Sequence, residues 1–194
     1  MRFPRLIVAG IVVAGGLGGQ IVAAPNPLSV RDIDGHSWTP LSPSGNDVDL
    51  VLFISAECPV TQHYAPEMNR IVAAYSARGV HAWFVFAEPS IPVADVRQNL
   101  KDFHPHTTAP AIIDAHFDLT AAAGVTITPE AAIYTARGRV YRGRIDNLYI
   151  TIGQNRREAT THDLRDALEA VLAGKPVIHP ETEAVGCFIE RGVR

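Results

Sequence analysis

The sequence predicts an α/β fold with a central mixed β-sheet flanked by helices. Short apolar runs typical of buried strands alternate with segments of helical periodicity, which is the pattern of a largely parallel sheet covered by helices. Two later apolar segments are joined by Ala136-Arg-Gly138, which predicts an antiparallel hairpin. The sheet is therefore expected to combine parallel strands with antiparallel ones.

The individual elements follow from local patterns. An N-terminal hairpin is predicted around Asp34-Gly35, a strong tight-turn signal, and an extended C-terminal tail is predicted over residues 175–194. Between them the sequence alternates segments that suit strands with segments that suit helices. The predicted strands are 49–55, 80–87, 111–113, 131–135 and 139–142, and the predicted helices are 60–78, 93–103, 117–123 and 163–173.

The first 23 residues have the pattern of a secretory signal peptide. Arg2 and Arg5 precede an uncharged apolar run from Leu6 to Gly18, and the small residue Ala23 provides a cleavage point. An uncleaved membrane anchor is the alternative, because the run approaches the length of a membrane span. Residues 24–174 are expected to form the folded domain of an exported protein, periplasmic or extracellular, followed by the tail.

Composition excludes some classes of protein. The 194 residues are 47% hydrophobic and 19% charged, which is typical of a globular domain. The net charge is −3 and no basic run or basic helical stripe is present, so a nucleic-acid partner is not expected. No cofactor is predicted, and the sequence contains only two cysteines, Cys58 and Cys187.

Cys58 lies where a predicted buried strand meets a predicted helix. A thiol at a helix N-terminus faces unpaired N–H groups and the positive end of the helix dipole, both of which stabilise the thiolate. The thiolate is the reactive form, so this position favours a nucleophile. The alternative at this stage is a buried, inert cysteine at the end of a strand.

Proline positions add a second line of evidence. Pro66 follows Cys58 by eight residues inside the predicted helix, and Thr128-Pro129 opens the predicted hairpin. With Cys58, these residues resemble the thioredoxin superfamily, in which a kinked helix follows the reactive cysteine and a cis-proline loop lies beside it. The resemblance implies a thioredoxin-like fold, a cis bond at Pro129, and a loop that positions the partner's backbone.

Longer motifs resemble the redoxin branch of that superfamily, the alkyl hydroperoxide reductase and thiol-specific antioxidant (AhpC/TSA) proteins and their exported bacterial relatives. The motifs are Cys58-Pro-Val-Thr61, Thr128-Pro-Glu130, Tyr141-Arg-Gly-Arg-Ile-Asp146 and Gly186-Cys187. The resemblance implies an oxidoreductase with antioxidant or disulfide-exchange activity. Its partners would be a protein disulfide, a small disulfide or a hydroperoxide, together with a reducing thiol protein.

The sequence also departs from these families. Thr61 occupies the position of the second cysteine of thioredoxins, where it is a candidate hydrogen-bond donor to the thiolate. Leu52 replaces their buried aspartate, which leaves Glu57 as a candidate proton acceptor. Ser55 matches a Ser/Thr of peroxiredoxins, and we expect it to help position the substrate. For the peroxiredoxin arginine that steadies the thiolate, the candidate is Arg144.

Cys187 is the candidate resolving thiol. A tail that folds back over the site would allow Cys187 to close a disulfide with Cys58 after the latter has reacted. Two alternatives remain at this stage. The pair forms a permanent structural bridge in a redox-inactive binding domain, or Cys187 stays unpaired or pairs with another chain.

Copper binding is a further alternative. Copper-delivery proteins of the Sco type share the fold and use two nearby cysteines with a distant histidine. Here Cys58 with His63 or a loop histidine would need help from Cys187 to hold Cu(I). No metal site is predicted for the leading hypothesis, a thiol–disulfide oxidoreductase or thiol-dependent peroxidase, and most of the remaining histidines, His104, His106 and His116 among them, are expected to be solvated.

Overall fold

The computed structural model describes residues 27–191. The signal peptide predicted over residues 1–23 and the last three residues of the predicted tail lie outside this range. Within residues 27–191, no helix has the length and apolar character needed to cross a membrane.

The described chain alternates strands and helices in the predicted order. The strands are β1 (Val30–Arg31), β2 (Ser37–Trp38), β3 (Val48–Ile54), β4 (Val80–Phe86), β5 (Ala111–Ile113), β6 (Ile127–Thr128), β7 (Glu130–Thr135), β8 (Gly138–Gly143), β9 (Tyr149–Thr151), β10 (Gln154–Asn155) and β11 (Cys187–Phe188), and the helices are α1 (Pro59–Ser76), α2 (Val93–Phe103), α3 (Asp118–Ala123) and α4 (Asp163–Leu172).

A five-stranded mixed sheet forms the centre, with strand order β5-β4-β3-β7-β8. Strands β3, β4 and β5 are parallel to one another. Strand β7 runs antiparallel to β3, and β8 pairs antiparallel with β7 as the predicted hairpin. The predicted α/β class with a mixed sheet is confirmed.

Both faces of the sheet are covered, which explains why the central strand is an unbroken apolar run. All seven residues of β3 are buried. One face packs against α1, α2 and α4, and the other against α3 and the N-terminal hairpin. The hairpin is the one predicted, with Gly35 in its turn at a φ of 89° and Trp38 stacked edge-on to Trp83 of the sheet.

Helix α1 begins directly after Cys58, with Pro59 as its first residue, where a missing N–H breaks no helical bond. The predicted apolar face is confirmed, since Met68, Ile71, Val72 and Tyr75 are all buried. Pro66 lies inside the helix and donates no backbone hydrogen bond there. Because Pro59 begins the helix, the start of α1 lies directly after Cys58 and close to the end of β3.

The end of the chain is docked onto the domain; we call residues 180–191 the docked tail. Arg142 of β8 donates its backbone N–H to Pro180 O at 2.9 Å, and Thr182 donates back to Arg142 O at 3.1 Å. A Cβ on Gly143 would overlap Thr182, so only glycine permits this approach. Further along, β11 pairs antiparallel with β6.

Candidate redox site

Cys58 lies at the N-cap of α1 and is 2% exposed. The thiol donates a hydrogen bond to Thr128 O at 3.3 Å. Thr128 is itself buried and precedes Pro129. The structure thus brings together three residues that the sequence singled out, although 70 positions separate Cys58 from Thr128.

The Thr128–Pro129 peptide bond is cis, as the resemblance implies. The residues on either side of this bond belong to different strands. Thr128 ends β6, and Glu130 begins β7 of the central sheet. In the sheet register Glu130 lies opposite Phe53 of β3, so this loop is fixed beside the strand that leads to Cys58.

Cys187 lies on the other side of Thr128. The register of β11 and β6 places Cys187 opposite Thr128 and Phe188 opposite Ile127. The preceding residue, Gly186, lies so close to Thr128 that an added Cβ would overlap its carbonyl oxygen. Both cysteines are free thiols, and they line the same cleft close enough for each to influence the pKa of the other.

The two thiols respond to this environment in opposite ways. Burial acts to raise the pKa of the Cys58 thiol, but hydrogen bonds from Cys187 and from the backbone and side chain of Thr61 outweigh it, so this pKa is lowered. Burial raises the pKa of the Cys187 thiol, and its hydrogen bond to Cys58 and the negative charge there raise it further. Cys58 is therefore the thiol that ionises first.

Thr61 contributes a buried hydroxyl to this arrangement. The residue is 2% exposed, and among the described residues its Oγ1 has no hydrogen-bond partner while the Cys58 thiol is protonated. An unsatisfied buried hydroxyl costs free energy. A thiolate on Cys58 would accept its hydrogen bond and satisfy it.

The side chain of Ser55 is engaged by Glu88. Its hydroxyl donates to Glu88 Oε1 at 2.8 Å, and the N–H of Ala56 donates to Glu88 Oε2 at 2.8 Å. Glu88 was missed from the sequence, although a signal is present. It directly follows the predicted strand 80–87, and the carboxyl ends of neighbouring parallel strands meet at one edge of a sheet.

Arg144, the candidate for steadying the thiolate, is engaged by Asp163 and is not among the groups that shift the pKa of Cys58. Arg144 Nε lies 2.9 Å from Asp163 Oδ2, and Arg144 Nη2 lies 3.0 Å from Asp163 Oδ1. This two-pronged ion pair joins the end of β8 to the start of α4. The guanidinium is committed there because a fixed carboxylate matches its planar donors.

The remaining polar candidates are distributed around the site. Glu57 is exposed, and Leu52 lies in the core. His63 Nδ1 lies 2.6 Å from the hydroxyl of Tyr149, whereas His104 is buried against Phe84 and Asn69, contrary to the expectation of a solvated side chain. Over residues 27–191, no group of three or more metal-ligating side chains comes together.

An open cleft of about 780 Å³ leads to Cys58. One wall is the docked tail from Cys187 to Glu190, and the opposite wall is the loop that joins β4 to α2, residues 87–92. Four carboxylates line the cleft, and within residues 27–191 no lysine or arginine does. The acidic residues are Glu57, Glu88, Asp95 and Glu190. The site therefore combines a reactive thiol, a second thiol and an acidic approach.

Comparison with known proteins agrees with the fold. No protein-family model matches the chain, and no curated protein does. Solved structures do match. A hypothetical protein from Sinorhizobium meliloti 1021 is 26% identical, with a TM-score of 0.70 over 85% of this chain and 92% of that one. An uncharacterized conserved protein from Geobacillus kaustophilus is 22% identical, with a TM-score of 0.73 over 87% of this chain and 90% of that one.

A secreted Mycobacterium tuberculosis disulfide oxidoreductase also matches. It is 15% identical, with a TM-score of 0.51 over 76% of this chain and 96% of that one. These likenesses show that the chain has the predicted thioredoxin-like fold.

Proposed function

We propose that the protein is a thiol–disulfide oxidoreductase in which Cys58 is the nucleophile and Cys187 the resolving thiol. The observation that carries this proposal is the pairing of β11 with β6, which sets Cys187 opposite Thr128, the residue whose carbonyl oxygen binds the Cys58 thiol. Structural neighbours described as disulfide oxidoreductases support a thiol–disulfide redox function at the level of the superfamily.

The two pKa directions give the reaction an order. The Cys58 thiolate attacks one sulfur of a substrate disulfide, the substrate S–S bond breaks, and a mixed disulfide forms as the first substrate thiolate leaves. Cys58 then carries no negative charge, so one cause of the raised pKa of Cys187 disappears. Cys187 then attacks the Cys58 sulfur, the mixed disulfide breaks, and the proton of Cys187 goes to the second substrate sulfur as it leaves. The products are a Cys58–Cys187 disulfide, one substrate thiol, and the first substrate thiolate, which takes a proton from solvent.

Thr61 and Thr128 support this cycle in different ways. Thr61 donates hydrogen bonds to the Cys58 thiolate from its backbone and its hydroxyl. Thr128 O accepts a hydrogen bond from the protonated thiol, and β6, which Thr128 ends, pairs with the tail strand and so holds Cys187 in place. Pro129 fixes the turn that follows Thr128. Ser55 positions the cleft wall indirectly through Glu88.

Disulfide exchange is favoured over peroxide reduction. The two features that pointed to peroxidase chemistry were Ser55 and Arg144, and their side chains are engaged by Glu88 and Asp163. A cation at the thiol would help peroxide reduction by stabilising the leaving oxygen, and no lysine or arginine among the described residues lines the cleft to Cys58. The proposed setting is an exported protein that exchanges disulfides with partners and is recycled by a reducing thiol protein.

The test is a redox titration of the purified protein in buffers of defined potential, with thiols alkylated and disulfides counted by mass spectrometry. We expect a reversible Cys58–Cys187 disulfide with a potential above about −300 mV, the range of working rather than structural disulfides. Cys58→Ser should abolish exchange, whereas Cys187→Ser should retain the first step and accumulate mixed disulfide. A bridge that resists reduction below that range would make the pair structural and refute the proposal.

A further inference from the structure

The strand edge beside Cys58 is already occupied. Extended protein segments commonly bind by adding a strand to an exposed sheet edge. Here the backbone of Ile127 and Thr128, next to the nucleophile, pairs with β11 of the same chain. A partner polypeptide therefore has no free edge at this place while β11 remains bound.

The docked tail is held at several points along its length. Ile189 donates its N–H to Thr126 O at 3.0 Å, and Arg191 Nη2 donates to Val125 O at 2.7 Å. Thr182 Oγ1 accepts the N–H of Arg144 at 3.1 Å. Displacing the tail would break these bonds and would also remove Cys187 from Cys58. A substrate that leaves the tail in place keeps the resolving thiol ready.

The cleft offers such a route. It reaches Cys58 between the tail and the loop over residues 87–92, and its volume of about 780 Å³ suits a small molecule. Its lining is acidic, with Glu57, Asp95 and Glu190 exposed. A cleft lined by one sign of charge attracts the opposite charge and repels its own.

We infer that the substrate that oxidises the two thiols is a low-molecular-mass disulfide, neutral or cationic, that enters through the acidic cleft while the docked tail stays in place. This inference rests on the proposed function. The electron balance is that of disulfide exchange: the substrate S–S bond accepts two electrons and becomes two thiols, and Cys58 and Cys187 become a disulfide. Anionic disulfides and protein disulfides are disfavoured, the first by charge and the second by the occupied strand edge.

The test uses Cys187→Ser, which keeps the tail but cannot resolve the mixed disulfide. Reduced variant is mixed with cystamine, hydroxyethyl disulfide or dithiodipropionate, which have similar size and cationic, neutral or anionic ends, and separately with insulin. Mass spectrometry follows the adduct on Cys58. At low salt we expect cystamine to react at least about tenfold faster than dithiodipropionate, with a difference that shrinks as salt is added. Insulin should react more slowly than any of the three.

A charge variant shows whether the cleft causes the preference. The triple variant Glu57→Gln, Asp95→Asn and Glu190→Gln should bring the cystamine and dithiodipropionate rates closer together. The matched control is the double variant Glu158→Gln and Glu183→Gln, which removes exposed carboxylates outside the cleft and should leave the rate ratio of the parent.

The outcomes separate the two proposals. If no disulfide forms an adduct with Cys58, the proposed function itself fails. If adducts form but insulin or dithiodipropionate reacts as fast as cystamine, the exchange function stands and the inference about substrate class is overturned. A rate ratio that is unchanged in the triple variant also overturns it, because the selectivity would then arise outside the cleft.

Discussion

Cys58 and Cys187 carry the same side chain and lie on either side of Thr128, yet the pKa of one thiol is lowered and that of the other is raised. At the N-terminus of α1, donors from Thr61 and Cys187 converge on a buried thiol and lower its pKa. On the tail strand, burial and the neighbouring sulfur raise the pKa of Cys187. Burial alone disfavours a charge, and only directed hydrogen bonds reverse that effect.

Asp49 is the clearest contrast to Cys58, because it is a buried acid that has no such hydrogen-bond donors in the described part of the chain. It lies at the other end of β3, where burial and the charge of Asp47 raise its pKa to about 7, with His81 Nδ1 3.8 Å away. The folded state therefore holds this proton more tightly than the unfolded chain, so the free energy of unfolding should fall as pH rises from about 4 to 7. Above that interval this contribution becomes constant.

The prediction is that Asp49→Asn removes this slope and is more stable than the parent at pH 8, by on the order of 1–3 kcal/mol. Urea denaturation at pH 5 and pH 8 measures it. The control is Asp47→Asn, which removes only the charge contribution and should have a smaller effect. If the free energy of unfolding of the parent protein has the same pH dependence as that of Asp49→Asn, burial does not raise the pKa of Asp49.

The docked tail tests the other side of the comparison, since Cys187 acts only if it stays beside Cys58. Gly186→Ala places a Cβ against the Thr128 carbonyl and should push the tail away while retaining both thiols. We expect closure of the Cys58–Cys187 disulfide to slow by about ten- to a hundredfold, because the local concentration of the second thiol falls. Rapid-quench alkylation during oxidation by hydroxyethyl disulfide measures closure.

The matched control is Glu183→Ala, an exposed position on the same tail whose substitution adds no atom near Thr128. It should close the disulfide at the parental rate. Parental closure in Gly186→Ala would show that the tail contact is not what brings the thiols together.

The two cysteines also differ in how well the sequence predicts their surroundings. The position of Cys58 follows from local order, since an apolar strand, a cysteine and an amphipathic helix are adjacent in the chain. The pairing of Cys187 with Thr128 depends on how residues 180–191 run over the surface, and only a glycine before the cysteine hints at a close approach. No local pattern specifies that register.

The same limit applies to the polar partners at the site. Sequence position suggests roles for Ser55 and Arg144 by analogy with other proteins, but it does not identify their partners Glu88 and Asp163, which lie on other elements. A two-stranded hairpin of β9 and β10 was also not predicted, because its segments are short and exposed. Local periodicity predicts elements, whereas polar partners are selected by the assembled fold.

The smallest expected effect concerns the Thr61 hydroxyl. It tests how much a single hydrogen bond contributes to the low pKa of Cys58. Thr61→Val keeps the shape of the side chain and removes a donor that the Cys58 thiolate uses. Loss of one hydrogen bond to a charged group should raise the pKa of Cys58 by about one unit. The pH dependence of iodoacetamide alkylation in Cys187→Ser, with and without the second substitution, measures this shift.

The free energy of unfolding of Thr61→Val should not fall, although the pKa of Cys58 rises. This combination distinguishes the loss of a hydrogen-bond donor from damage to the fold. In the protonated state Thr61 Oγ1 is buried and has no partner among the described residues, so replacing it by a methyl group should leave the fold equally stable or stabilise it below the pKa of Cys58. Thr61→Ser keeps the hydroxyl and should retain the low pKa. If Thr61→Val in the Cys187→Ser background alkylates with the pH midpoint of Cys187→Ser alone, the Thr61 hydroxyl does not stabilise the thiolate.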